Sequence, residues 1–331
     1  MRSWPSITVG IVNYNGADHL PALLESLAHQ TIAHDTIIVD NASTDGSARA
    51  AYERFPEHSY LPLRRNTGFA LAANIIAERS PTDVLIYVNP DTRLDSDFVE
   101  CITAPFAGNE CLASVAGTLV FESQPDVIAS AGISLHGNGV ALDRLVGEPG
   151  RAGRRPEPIF GASGGAAAYR RSAFLDAGGF PEVFFMYLED VDLAFRLQLR
   201  GWDCIWQPDA IARHAYSASA GEGSPFKRKL IARNRIWTLA RCFPQSLLSG
   251  RAHSIVGYDL LALGYGIFRD RPSAAGRAEA LARILPRWCE RRAIDPDRGK
   301  VGRIEGWLQP PISPRKLQTI RTLTAELASR G

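Results

Sequence analysis

The sequence predicts a mixed α/β fold: a mostly parallel sheet covered by helices on both faces, with a helical region at the C-terminal end. Two observations carry this. Over the first hundred residues, short β-branched runs alternate with stretches at helical spacing, the pattern of successive βαβ units. Beyond about residue 217 the strand-like runs stop, and the chain becomes helical, basic and aromatic. A length of 331 residues, 45% of them apolar, allows one large core with a smaller appendage. The expected division is an α/β unit over 1–215 and a basic helical region over 216–331.

Taken in order, residues 7–13 (Ile-Thr-Val-Gly-Ile-Val-Asn) read as a strand ended by the turn signal Asn15-Gly16. Leu20, Leu23, Leu24 and Leu27 recur at i, i+3, i+4, i+7 and predict an amphipathic helix. Residues 36–40 form the next strand, and Thr44-Asp45-Gly46-Ser47 opens a helix. A short strand over 60–63, an Ala-rich helix over 68–78 and a buried strand over 83–88 follow. After Asp91 the rhythm breaks. Residues 111–121 read as a strand, and 132–158, rich in Gly, Pro and Arg, as a long loop. A helix is expected from about Ser172, and another over 188–200, stopped by Gly201 as its C-cap. A strand-like stretch over 206–213 leads to His214.

Composition excludes several classes. The five cysteines are odd in number and form no CxxC pair, against both a disulfide framework and a zinc knuckle. The N-terminus runs into a strand rather than an apolar signal core. No run of about 18 apolar residues occurs; the longest candidate, 254–268, carries Asp259. A cytoplasmic protein without a spanning helix is the expectation. The net charge of +2 conceals an asymmetry: residues 1–212 hold 15 Lys and Arg against 26 Asp and Glu, and residues 213–331 hold 22 against 9. An acidic front and a basic back suggest different partners.

In open parallel sheets, ligands bind beyond the carboxyl ends of the strands. Three polar clusters lie there: Asn13-Tyr14-Asn15, Asp40-Asn41-Ala42-Ser43 and Asn89-Pro90-Asp91. A dinucleotide site would need GxGxxG after the first strand, and Asn15-Gly16-Ala17-Asp18 stands there instead, which excludes a dehydrogenase.

Four motifs then occur in order: Val39-Asp-Asn-Ala-Ser-Thr-Asp-Gly-Ser47, Asn66-Thr-Gly-Phe-Ala70 with Asn74, Asn89-Pro-Asp-Thr92, and Leu188-Glu-Asp-Val-Asp-Leu193. Together they resemble the family 2 glycosyltransferases of GT-A fold, most closely the bacterial rhamnosyltransferase branch, over residues 5–240. The resemblance implies a sugar nucleotide donor whose base is read by Asp40; an Asx turn between Asp40 and Ser43 is the competing reading. It sets Asn66 and Gly68 against the donor diphosphate, with Arg64 and Arg65 nearby, although a plain helix cap at Thr67 explains the same residues. Asn13, Asn15, Ser43 and Asn89 complete the candidate nucleotide-sugar contacts.

Asn89-Pro90-Asp91 departs from the usual Asp-x-Asp, but Mg²⁺ or Mn²⁺ often takes only one or two carboxylates and completes its shell with phosphate and water. Asp91 is the candidate metal ligand. The resemblance adds His214, whose imidazole suits Mn²⁺, against the reading of an ordinary core or surface histidine. Among Glu189, Asp190 and Asp192 the family motif puts the catalytic base on Asp190. Glu189 is a second catalytic candidate that the helix dipole alone would also explain, and Asp192 lies four residues before Arg196 and pairs with it. Gly161-Ala-Ser-Gly-Gly-Ala166 either lies under the donor sugar or packs as a tight strand.

The implied function is metal-dependent, inverting transfer of a sugar, rhamnose from dTDP-rhamnose by resemblance, to a hydroxyl of a surface-polysaccharide acceptor, polyprenyl-linked. A sugar nucleotidyltransferase and a silent binding module on the same fold are the alternatives; the first should carry a Gly-rich basic loop after strand one, and the second a broken metal or base position. Nucleic-acid binding through the basic end is a third. Residues 226–243 mix six basic residues with Phe226, Leu230, Ile231, Trp237 and Leu239. They suit either a helix in a lipid headgroup layer, at the inner face of the cell membrane, or a packing helix with a solvated basic edge.

Overall fold

Strand β1 (Ile7–Asn13) is buried at every position, as a strand covered on both faces must be. Helix α1 (Leu20–Ala28) turns Leu20, Leu23, Leu24 and Leu27 inward. Next come β2 (Asp35–Asp40), α2 (Ser47–Arg54), β3 (Ser59–Pro62), α3 (Gly68–Arg79) and β4 (Val84–Val88), in the expected alternation. The structure, a computed structural model, describes residues 4–150, 153–215 and 223–329. β1 pairs parallel with β2 and β4, and β2 with β3, so the carboxyl ends of all four strands share one edge.

The chain then becomes less regular: β5 (Thr92–Leu94), α4 (Phe98–Thr103), β6 (Leu112–Phe121), β7 (Gln124–Ser130), β8 (Ile133–His136), β9 (Ala141–Asp143), β10 (Glu157–Pro158), β11 (Ala166–Arg170), α5 (Arg171–Asp176), α6 (Glu189–Arg200) and β12 (Asp203–His214). The main sheet runs β10-β12-β6-β11-β4-β1-β2-β3, with β5 added to β12 and β7 to β6. β11 is antiparallel to both β4 and β6, which makes the sheet mixed at this end. The segment 132–158, expected as a loop, instead contains the β8–β9 hairpin and β10. Its strands are two to four residues long, too short to show a period, and Ile133 and Leu135 hold β8 down by packing beside Phe195.

The C-terminal region holds α7 (Pro225–Cys242), α8 (Gln245–Arg269), α9 (Arg271–Ala282), α10 (Ile284–Cys289), α11 (Arg291–Ile294), α12 (Val301–Trp307), β13 (Leu308–Gln309) and α13 (Pro314–Ser329). One short strand breaks the expectation of helices alone: β13 pairs parallel with β8. Residue 217, where the change to helix was expected, lies outside the described residues. Leu239 and Phe243 of this region share a core with Ile133, Phe195 and Leu199, and Leu327 of α13 reaches the main core.

The headgroup-layer reading of 226–243 does not hold. Leu230, Trp237 and Leu239 of α7 are buried. Three of its basic side chains are turned inward as well, Arg233 to Glu279, Arg235 to Asp259 and Arg241 to Asp192, while Lys229 and Arg228 pair with Glu279 and Asp270 nearer the surface. Glu279 and Asp259 belong to the basic region itself, and Asp192 of α6 is the acid that the α/β region contributes to these pairs. Among the described residues no helix is long and apolar enough to cross a membrane, and all five cysteines are free.

Candidate active site

The strand ends are knitted together before any ligand arrives. Asn13, fully buried, points its amide at Asp40 Oδ1 (3.1 Å), Ser43 Oγ (3.1 Å) and Ser47 Oγ (2.9 Å). The Ser43 N–H donates to Asp40 Oδ2 at 3.3 Å, the Asx turn weighed above. Asn15 closes the loop: its N–H donates to Ser43 Oγ at 2.9 Å, and its Oδ1 accepts from the Thr44 N–H at 2.8 Å. Asn13 is therefore a buried brace that orients Asp40.

The start of α3 is more occupied than the phosphate reading requires. Asn66 Oδ1 accepts from the Gly68 N–H, Asn41 Oδ1 from the Thr67 N–H, and the Phe185 carbonyl from the Ala70 N–H. Gly68 has φ +81°, and a Cβ there would stand 2.3 Å from the Phe185 carbonyl oxygen. The close approach that Gly68 permits is thus made by the loop before α6, and three of the amides expected to face phosphate have protein partners. Thr67 stands at the N-cap position of α3, but its side chain makes no capping bond; its hydroxyl donates to Asn41 Oδ1 instead. Asn41, 2% exposed and not among the candidate contacts above, is announced in the sequence only by its place directly after a strand.

Sheet register builds the metal candidate. β5 runs antiparallel to the end of β12, with Thr92 opposite His214. This brings Asp91 Oδ1 to 3.3 Å from His214 Nε2. Asn89 Nδ2 lies 3.2 Å from the same nitrogen, which can accept from the amide or donate to the carboxylate according to its tautomer. Asp91 and His214 converge on one point of the cleft wall, and both are nearly buried. Among the described residues no third His, Cys, Asp or Glu joins them. A carboxylate oxygen and an imidazole nitrogen at this separation fit a divalent cation that takes its remaining ligands from diphosphate and water.

The acids stand on α6, entered through a strained loop. Phe185, Tyr187 and Leu188 have φ of 68°, 70° and 64°, a conformation that non-glycine residues hold only when their surroundings impose it. Asn234 of α7 does so: its amide lies 3.2, 2.9 and 2.7 Å from the carbonyls of Phe184, Met186 and Tyr187, and Arg233 adds a bond to Phe184. Asp190 Oδ2 then accepts from the Gly164 N–H at 2.9 Å, so the 161–166 segment serves the acid helix. Burial pushes the Asp190 carboxyl up to about 6, against the pull of the Gly164 and Val191 N–H groups, and Asp143 adds to the rise. Burial and the Asp190 charge drive Glu189 well above the usual carboxylate range, and its Oε2 has no partner. Asp192 differs. Fully buried, it divides its oxygens between Arg196 and Arg241, each at 2.8 Å. Burial alone would raise its carboxyl, but those two guanidinium charges outweigh it and hold it below its ordinary value.

A cleft of about 1670 Å³ gathers these groups. Asn15, Asn66, Gly68, Asn89, Asp91, Glu189, Asp190 and His214 line it, whereas Asn13, Asp40, Ser43 and the exposed Arg65 do not. The structure adds Asp143, Tyr187 and Lys227 to the wall. Asp143 and Tyr187 come from segments whose strand or loop character has no sequence period.

Comparison with known proteins agrees with this architecture. The family model described as glycosyl transferase family 2 matches residues 8–178. The N-acetylglucosaminyl-diphospho-decaprenol L-rhamnosyltransferase of Mycobacterium tuberculosis is 31% identical over 241 residues, covering 65% of this chain and 78% of that one. The O-antigen chain rhamnosyltransferase RfbN of Salmonella typhimurium is 25% identical over 219 residues, covering 65% and 68%. Among solved structures, GalNAc-T7 with UDP, GalNAc and Mn²⁺ superposes with a TM-score of 0.64 at 14% identity, over 88% of this chain and 55% of that one. The mannosyltransferase PcManGT from Pyrobaculum calidifontis, in complex with GDP-Man and Mn²⁺, gives 0.52 at 18% identity, over 98% and 86%. These likenesses establish a GT-A-like fold.

Proposed function

Because the chain belongs to glycosyl transferase family 2, we propose that it is a metal-dependent, inverting rhamnosyltransferase acting on a polyprenyl-diphosphate-linked saccharide. The observation that carries the chemistry is the pairing, in one cleft, of a carboxylate poised near neutrality with a carboxylate–imidazole pair. Asp190, pushed up to about 6, is ionised at neutral pH yet basic enough to accept a proton. It takes the proton of the acceptor hydroxyl as that oxygen bonds to the anomeric carbon. The bond from that carbon to the diphosphate breaks in the same step, and its electron pair leaves on the phosphate oxygen. Asp91 and His214 hold the divalent cation, Mg²⁺ or Mn²⁺, which when bound neutralises charge on the departing diphosphate. Glu189, whose carboxyl is pushed well above the usual range by burial and then by Asp190, is placed on the cleft wall to hydrogen-bond the sugar. Asp40, braced by Asn13 and Ser43 just behind the wall formed by Asn15 and Asn41, is the acid nearest that wall to accept from the base of the nucleotide. Lys227, on the cleft wall, supplies positive charge toward phosphate.

The sequence resemblance and the two rhamnosyltransferase relatives support dTDP-rhamnose as donor and a lipid-diphosphate acceptor. A nucleotidyltransferase would carry a Gly-rich basic loop after β1, where Asn15-Gly16-Ala17-Asp18 stands. A silent module is disfavoured by Asp91 and Asp190 standing intact in the same cleft. The test incubates the chain with a panel of sugar nucleotides and a short-chain polyprenyl-diphosphate GlcNAc, with Mn²⁺, Mg²⁺ or chelator. Consumption of dTDP-rhamnose, abolished by chelator, with the product's anomeric configuration opposite to the donor's by NMR, is expected. A retained configuration refutes single displacement, and turnover in chelator refutes the metal.

A further inference from the structure

Helix α8 has the wrong polarity for a helix facing water. It buries Ile255, Tyr258 and Gly266 and turns outward Val256, Leu260, Leu261, Tyr265, Ile267 and Phe268, with Leu260 64% and Phe268 83% exposed. At about 100° per residue these six side chains spread over roughly half the helix circumference. From 252 to 268 the one acidic or basic side chain besides His253 is Asp259, which turns inward to Arg235 and Arg277. From Val256 to Phe268 the open strip is therefore apolar for roughly 18 Å. Soluble proteins leave few such strips uncovered, and those they leave mark contact sites.

We infer that this face of α8 seats the protein on an anionic membrane surface. Charge fits that occupant: the exposed Arg269 closes one end of the strip, and the exposed Arg271 follows at the corner with α9. A helix lying in an interface buries its apolar face among acyl chains and reaches headgroup phosphates with basic side chains at its ends. No described helix is apolar enough to cross the bilayer, so α8 lies on it. Position fits too. Ala262 and Tyr265 of α8 also line the catalytic cleft, as do Leu317 and Ile320 of α13 beside the polar Arg315, Gln318 and Arg321, so the cleft wall borders the strip. The inference deepens the acceptor reading above: a lipid-linked diphosphate in the same membrane would meet the cleft where Ala262 and Tyr265 of α8 border it.

The experiment is co-sedimentation with vesicles of equimolar phosphatidylglycerol and phosphatidylcholine, without nucleotide or acceptor, so that its result does not depend on any glycosyl transfer. Wild type should pellet, and Leu260→Gln/Ile267→Gln/Phe268→Gln should bind roughly a hundredfold more weakly. Phe268→Gln alone, a change at the most exposed position, should show an intermediate loss and guards against misfolding of the triple variant. Both variants should keep wild-type turnover on a water-soluble short-chain acceptor. Wild type that stays in the supernatant, variants that pellet equally, or a wild-type dimer that the substitutions split into monomers would each overturn the inference. Vesicle binding by a chain that transfers no sugar would leave it standing and refute the proposed activity instead.

Discussion

Asp91 Oδ1 stands 3.3 Å from His214 Nε2 because β5 pairs antiparallel with the last residues of β12, setting Thr92 opposite His214. Two residues far apart in the chain thus become one pair through sheet register, and the carboxylate is the single acid of its motif.

Asp91→Asn should remove most of the metal dependence. Transfer is expected to fall by roughly 10²–10³, the scale of losing one electrostatic stabiliser of a leaving group. The stabilisation of the fold by nucleotide plus Mn²⁺, read as a shift in Tm, should shrink to that seen with nucleotide alone. An unchanged Mn²⁺ response would move the metal elsewhere.

Asp190→Asn should lower kcat by roughly 10²–10⁴ while leaving nucleotide affinity intact. For wild type the base must be ionised, so activity should be flat at alkaline pH and fall as pH drops through about 6, the value to which burial raises this carboxyl. A profile whose acid limb lies near pH 4 would point to a solvated carboxylate and another base.

Asp192→Asn is expected to act on stability instead. Two fully or nearly buried guanidinium groups, Arg196 and Arg241, would lose their counter-charge, a loss of about 3–5 kcal/mol for a buried pair, against a few tenths for the exposed helix pair that the spacing alone suggests. Because the Asp192 carboxyl is depressed in the folded state, its contribution is present above the unfolded pKa and lost as pH falls through the folded one. Urea denaturation of wild type and variant should therefore differ at pH 7 and converge in strong acid.

Asn234→Ala tests the brace on the strained loop. Without the amide that gathers the carbonyls of Phe184, Met186 and Tyr187, Asp190 loses its placement, and kcat should drop on the order of 10²-fold at unchanged nucleotide Kd. A rise in KM alone, with kcat retained, would assign Asn234 to substrate binding.

The alternation of β1 to β4 with α1 to α3 was legible because strands buried on both faces and an amphipathic helix leave periods that survive in a linear chain. The acids of the cleft were legible for a related reason: Asp91 and Asp190 sit in local motifs, at a strand end and a helix start. The β8–β9 hairpin left no such trace, since its strands are three and four residues long, and Asp143 therefore went unweighed. The spacing suggests that Gly68 leaves room for a phosphate; the glycine is needed, but the neighbour that needs it is the Phe185 carbonyl, a contact between residues far apart.

The same division explains α7 and α8. Both are long helices carrying apolar and basic residues, and the sequence alone determined that each is a helix. Which apolar face is covered depends on neighbours. α9 packs over α7, and Glu279, Asp259 and Asp192 draw Arg233, Arg235 and Arg241 inward, so the helix that reads as membrane-active is interior. α8 keeps Leu260, Leu261 and Phe268 in the open because no described element packs over that half. Period and motif are properties of a segment and can be read from it; burial and charge pairing are properties of contacts between segments, and only the tertiary structure decides them.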